Sequence, residues 1–169
     1  HVLELVRERR RTNTRRFDFM QVLMEASDPD TGIAMSEREL MDEILTLVVA
    51  GHETTASALN WTWWLLSQHP EVEARVLAEQ DGVPESELTS YADLEKLPRT
   101  MQVIKESLRL YPPGWLLSRR TLGPDRLGGF EIPPDTDVLL SPYVIHRHPD
   151  FWENPQAFDP DRFDTARVE

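Results

Sequence analysis

Residues 50–55 read Ala-Gly-His-Glu-Thr-Thr and interrupt a stretch of valines, leucines and tryptophans. A carboxylate beside two hydroxyls in apolar surroundings can hold a water and pass a proton. A second set is Glu106 and Arg109 in the stretch ESLRLYPP. On a helix this spacing of three puts both on one face, where carboxylate and guanidinium can meet. A third is His146-Arg147-His148, whose alternating imidazoles in a proline-rich segment are a weak metal signal and read better as a loose surface pair. One metal chemistry is excluded at once. His52-Glu53 opens like the His-Glu-x-x-His helix of zinc proteases, but position 56 is Ala where the second imidazole must stand.

The elements that must position these residues follow from the same text. Residues 2–10 and 17–26 read as short helices, and SDPDTG at 27–32 is a loop rich in turn formers. Ser36 and Glu39 form a capping box, and no proline follows until Pro70. Leu40, Ile44, Leu47 and Val48 recur at helical spacing, so a helix over 37–67 is expected, roughly 45 Å long at 1.5 Å per residue. Helices over 71–80 and 99–110 follow, the latter with Pro98 at its first position and Pro112-Pro113 as its stop. Short extended segments then run between Gly and Pro over 115–141, and 147–164 is irregular, rich in proline and aromatics. The expected fold class is mainly α with a small β region.

Inside the long helix, Gly51 costs about 1 kcal/mol relative to Ala. Thr54 can turn its hydroxyl onto the carbonyl of Ala50, which bends or widens a helix. Two readings stand at this point. Either the stretch is a notch that leaves room for a flat or small ligand, or it is a polar patch at a helix–helix crossing, with Gly for close approach.

Composition bounds the rest. The chain has 169 residues, 40% hydrophobic and 28% charged, enough for one ordinary globular domain. Its formal net charge of −12 argues against a nucleic-acid partner. The local exception, the arginines at 7, 9, 10, 11, 15 and 16, reads as a solvated helix face. Zero cysteines excludes disulfides, thiolate nucleophiles and cysteine-ligated metals within these residues. No secretory signal or apolar run long enough to span a bilayer is present, which points to a soluble, cytoplasmic protein. Both ends read as cut, with His1 in place of Met, so a piece of a longer protein is expected.

The order of these motifs resembles the cytochrome P450 family of haem–thiolate monooxygenases. Ala50-Gly51-His52-Glu53-Thr54-Thr55 is similar to the family's central-helix motif, Glu106-Ser107-Leu108-Arg109 to its Glu-x-x-Arg helix, and Pro160-Asp161-Arg162-Phe163 to its Pro-Glu-Arg-Phe element. Asp161 departs mildly, since Glu is usual there. The larger departure is that the family's Cys loop, which supplies the axial iron ligand, lies outside this chain, as do the family's N-terminal helices and last helix. Residues 1–169 are expected to form part of a single P450 domain.

The resemblance implies haem b, dioxygen as co-substrate, and electrons from NAD(P)H through a ferredoxin or a flavoprotein reductase. It implies that Ala50, Gly51 and Thr54 lie against the dioxygen face of the haem, with Thr54 and Glu53 catalytic in proton delivery. Arg119, and more weakly His146, are the implied propionate ligands; strand alternation turns Arg120 to the other face. Trp115, Leu116 and Leu117 are implied to line the pocket of an apolar small-molecule substrate. Glu106, Arg109 and Arg162 are implied to form a buried, architectural ion network. Trp61, Trp63 and Trp64 read as packing of the long helix's second half. The implied activity is monooxygenation in the complete enzyme, with this piece alone inactive and exposing surfaces that the rest should cover. The alternative is a non-catalytic helical binding module, or a degenerate fragment without haem. A soluble bacterial-type enzyme is expected, with any anchor lying before His1.

Overall fold

The computed structural model describes residues 1–164, apart from the side chain of Glu85. The chain divides into two compact units, His1–Glu53 and Thr54–Glu169, and the division falls inside one helix.

The first unit holds α1 (Val2–Thr12), α2 (Phe19–Glu25) and the start of α3 (Glu37–Gln68). Its core is Val6, Leu40 and Ile44, with Val2, Met20, Leu23, Met24 and Met35 packed around them. Each helix start has a local cause. The Asp18 carboxylate accepts from the Gln21 N–H at 2.9 Å and caps α2. At α3 the Ser36 N–H donates to Glu39 Oε2 at 2.8 Å and the Glu39 N–H to Ser36 Oγ at 3.3 Å, so the expected capping box is present. The arginines of α1 and its exit are more engaged than a solvated face requires. Arg7 and Arg10 pair with Glu37, Arg9 with Asp18, and Arg15 with Glu25.

The second unit continues α3 and adds α4 (Pro70–Asp81), α5 (Pro98–Leu110), strands β1 (Leu117–Arg120) to β4 (Asp137–Leu140), and α6 (Pro142–Ile145). Pro70 and Pro98 open α4 and α5, where a missing N–H costs no helical bond. The buried face of α5 is Gln102, Val103, Glu106, Ser107, Arg109 and Leu110, a helical stripe in which only Val103 and Leu110 are apolar. Leu66, Val72, Val76 and Val103 form the core, capped by Phe158. β1 pairs antiparallel with β4, with Arg119 opposite Val138 and Arg120 opposite Asp137. β2 (Asp125–Leu127) and β3 (Phe130–Ile132) form a hairpin. Its turn, Gly128-Gly129, has φ of 56° and 87°, a conformation that residues other than glycine rarely adopt.

Two features differ from the sequence expectation. Residues 142–145, which follow the expected extended segments of 115–141, form the single turn α6, started by Pro142 and capped by the Ser141 hydroxyl, which accepts from the Val144 N–H. The 147–164 coil carries a 3₁₀ turn at Pro160–Phe163, capped by Asp159, whose carboxylate accepts from the Asp161 N–H. Among the described residues, no helix is long and apolar enough to cross a membrane.

Candidate functional site

Glu106 and Arg109 are buried, with side chains 0% and 1% exposed, and meet through two parallel bonds. Arg109 Nε donates to Glu106 Oε2 at 2.7 Å and Nη2 to Oε1 at 2.8 Å. The remaining guanidinium protons reach backbone carbonyls of the irregular segment. Nη1 donates to the oxygens of His146 (2.6 Å) and Pro155 (2.9 Å), and Nη2 to that of Ala157 (3.1 Å). Glu106 Oε1 also accepts from the Asp159 N–H at 3.0 Å. One ion pair thus gathers a segment with no regular ladder of its own, and buried polar groups persist only when so satisfied.

Arg162 joins them from the 3₁₀ turn. Its Nε stands 3.5 Å from Glu106 Oε1, and the Trp152 ring lies near both guanidinium groups, 5.0 Å from Arg109 and 5.9 Å from Arg162. The three expected network residues are therefore brought together. Arg162 is the loosest member: its Nε is buried without a hydrogen-bond partner, and its Nη2 reaches Asn154 O only at 3.5 Å.

Two supports were not foreseen. Glu79 of α4 caps α5 from outside, accepting from the N–H groups of Arg99 (2.7 Å) and Thr100 (2.9 Å) and from the Thr100 hydroxyl (2.8 Å). The helix's own N-cap, Leu97, has no side chain able to do so. Asp161 pairs with Arg75 at 3.0 Å and with Arg99. The Arg75 guanidinium, with Arg99 beside it, holds the Asp161 carboxyl below the usual carboxylate range.

Apart from half-buried His146, the other expected residues lie on exposed surfaces. α3 is α-helical without interruption through residues 50–55, so the expected widening is not seen. Residues 50–55 are all exposed, as are Val48 and Val49 before them. A Cβ added at Gly51 would meet no atom within 4 Å, so no described neighbour needs a glycine there for close approach. Thr46 and Thr62 of the same helix donate their hydroxyls to the carbonyls of Asp42 and Ala58, each at 2.8 Å. Ala50 and Thr54 are both engaged within the chain.

Strand alternation separates the two arginines of β1 as expected. Arg120 forms a bidentate pair with Asp137 at 2.9 Å for both bonds, whereas exposed Arg119 donates to the carbonyl of its neighbour Ser118 and has no acidic partner among the described residues. His146 is committed differently from the propionate expectation. Its Nδ1 lies 3.2 Å from the Arg109 carbonyl, and its ring packs against Trp152. Trp115, Leu116 and Leu117 are exposed. Trp61 stacks on Tyr111 at 4.1 Å, with Trp64 edge-on to both; all three tryptophans keep exposed surface, Trp63 the most. No group of three or more His, Asp or Glu able to hold a metal occurs among the described residues.

The Cytochrome P450 family profile matches residues 1–169. The chain belongs to this family. Cyclooctatin synthase from Streptomyces melanosporofaciens is 47% identical over 90% of the chain, and pentalenene oxygenase from Streptomyces avermitilis 38% over 96%. The structure of retinoic acid-bound cyanobacterial CYP120A1 superposes with a TM-score of 0.90 over 99% of the chain at 32% identity. The chain covers 33% and 36% of those two relatives and 39% of that structure, so it spans about a third of the length of the P450 proteins it matches. The P450 fold also accounts for the mainly helical plan with short antiparallel strands.

Proposed function

We propose that the complete protein is a haem-dependent monooxygenase acting on an apolar small molecule, and that residues 1–169 supply part of its single domain. The observation that carries this reading is at Gly51. A helix-weakening residue stands in an exposed apolar run, beside a carboxylate and a hydroxyl, with no described neighbour to require it.

The residues present are compatible with a haem, which this reading takes to be haem b. Val48 and Gly51, three residues apart on α3, are apolar and exposed, as a flat macrocycle needs; in the second unit Arg119 is an exposed guanidinium without an acidic partner among the described residues, suited to a propionate. His146 is the weaker propionate ligand, since its Nδ1 already faces a carbonyl. Bound haem would supply the oxidising chemistry. The chain's own part is to orient and to move protons. The Thr54 hydroxyl positions a proton donor beside dioxygen, and Glu53, exposed one residue away, exchanges protons with solvent. Ala50 and Gly51 keep side-chain bulk away. Trp115, Leu116 and Leu117 form an apolar wall for substrate.

Two relatives are named for acting on pentalenene and on cyclooctat-9-en-7-ol, which supports an apolar small-molecule substrate. Electrons come from NAD(P)H through a ferredoxin or flavoprotein reductase, and the protein works in the cytoplasm as a soluble bacterial-type enzyme. The deciding experiment is the Soret spectrum of the complete protein, reduced and bound by CO, with Arg119→Ala and Arg120→Ala beside it. A thiolate-type band that Arg119→Ala weakens and Arg120→Ala spares is expected. A complete chain that takes up no haem overturns the reading in favour of a binding module.

A further inference from the structure

Arg162 is poorly held by its own contacts. Its nearest approach to Glu106 is 3.5 Å, and its buried Nε has no hydrogen-bond partner. It nevertheless sits over the network, carried by a turn that the Asp159 cap and buried Pro160 hold locally but that its own contacts do not tie to α4. The turn is one residue long on either side of Asp161–Arg162, and a 3₁₀ turn this short has little stability of its own. The neighbouring side chain supplies the anchor. Asp161 Oδ2 accepts from Arg75 of α4 at 3.0 Å, and Oδ1 accepts from Arg99 of α5. Arg99 is itself oriented by Gln102, whose Oε1 accepts from it at 3.1 Å. The carboxylate therefore bridges two helices while its neighbour points at Glu106.

We propose that Asp161 is a positioning residue: it ties the Pro160–Phe163 turn to α4 and α5 and so holds the Arg162 guanidinium against Glu106. The two adjacent residues divide the work. One makes charged bonds on the half-exposed side of the turn, and the other presents a charge to the buried side, where its geometry is set by backbone position more than by its own bonds.

The test is a double-mutant cycle in the full-length chain, read by amide hydrogen exchange of the segment holding Asp159, whose N–H bonds to Glu106. The proposal itself needs no haem; it rests on the haem reading only where haem uptake is followed as a second signal. Asp161→Asn and Arg162→Ala are each expected to speed exchange of this segment by about tenfold, and the double variant to be no faster than the worse single one. Arg75→Gln, which removes one exposed pair and leaves the fold intact, is expected to speed it about threefold alone and not at all on top of Arg162→Ala. Asp161→Glu is expected to restore exchange to within about twofold of the natural chain. Effects that multiply in the double variant, or no change in Asp161→Asn and Arg75→Gln, overturn the proposal. A full-length chain that lacks haem yet shows the non-additive exchange keeps this inference and removes the monooxygenase reading. A haem-loaded chain with multiplying effects does the reverse.

Discussion

Glu106 and Glu53 are both glutamates on helices whose neighbours are largely apolar, and the structure treats them oppositely. Glu106 is wholly buried, and its carboxylate meets Arg109, Arg162 and a backbone N–H. Glu53 stands exposed beside a glycine that no described neighbour approaches. The first site is complete within the described chain, down to the carbonyls that Arg109 collects. The second is a set of groups presented outward. A network that closes on itself holds structure; a set left open is suited to a ligand or to another part of the protein. The contrast separates a set of groups satisfied within the described residues from one that those residues leave uncovered.

The largest effect should come from breaking the closed site. Glu106→Ala leaves Arg109 charged and buried, which costs about 3–5 kcal/mol. The full-length chain is expected to lose cooperative unfolding in urea or to shift its midpoint strongly downward. Retained stability would mean that the carbonyls of His146, Pro155 and Ala157 suffice to solvate the guanidinium.

Thr54→Ala probes the open site. Stability should change by less than about 0.5 kcal/mol, as for an ordinary surface substitution. In the complete enzyme, product should fall while reductant is still consumed and peroxide accumulates. Full coupling of reductant to product in this variant would remove the role assigned to Thr54. A large loss of stability would place Thr54 with the architecture and weaken the contrast itself.

Much of the closed site was legible because its signals are local. The Glu-x-x-Arg spacing, the prolines that open α4 and α5, and the Ser36–Glu39 box are each contained within a few residues. What stayed hidden lies between segments far apart. Glu79 caps α5 by accepting from Arg99, 20 residues later, and Asp161 reaches back 62 and 86 residues to Arg99 and Arg75. Each is a charged residue, and nothing nearby in the sequence marks its partner. The open site was legible in the opposite sense. Gly51 and the two threonines break the helical preference locally, so they stand out. Periodicity could not say that the middle of α3 would be bare, because it reports which face is apolar and not what covers it.

Glu79→Ala is an intermediate case, a half-way test of whether closure or burial gives the network its weight. It removes three accepted bonds from the start of α5 without stranding a buried charge. A cost of about 1–2 kcal/mol is expected, in the range of a lost N-cap, measured by urea unfolding of the full-length chain. A cost as large as that of Glu106→Ala would show that the helix start, and not the ion pair, sets the stability of this region.

The smallest effect belongs to Asp93, which has as many partners as Glu106 but lies at the surface. Its Oδ2 accepts from the N–H groups of Thr89 (3.1 Å) and Ser90 (2.8 Å) and from the Ser90 hydroxyl (2.8 Å), and Lys96 approaches Oδ1 at 3.2 Å. The Ser90 hydroxyl first, then Lys96 and the two N–H groups, lower its pKa from 3.8 to about 2. A carboxyl whose folded value is depressed adds stability that is fully present above the unfolded value and fades as pH falls through the folded one. The Tyr91–Lys96 turn should therefore hold its exchange protection at neutral pH and lose it between about pH 4 and 2, and Asp93→Asn should remove that acid step. Global unfolding at neutral pH should barely respond, because water solvates the freed partners as soon as they separate. If Asp93→Asn instead destabilised the whole protein, partner number alone would set a carboxylate's weight. The burial that distinguishes Glu106 from Glu53 would then have to be replaced as the explanation.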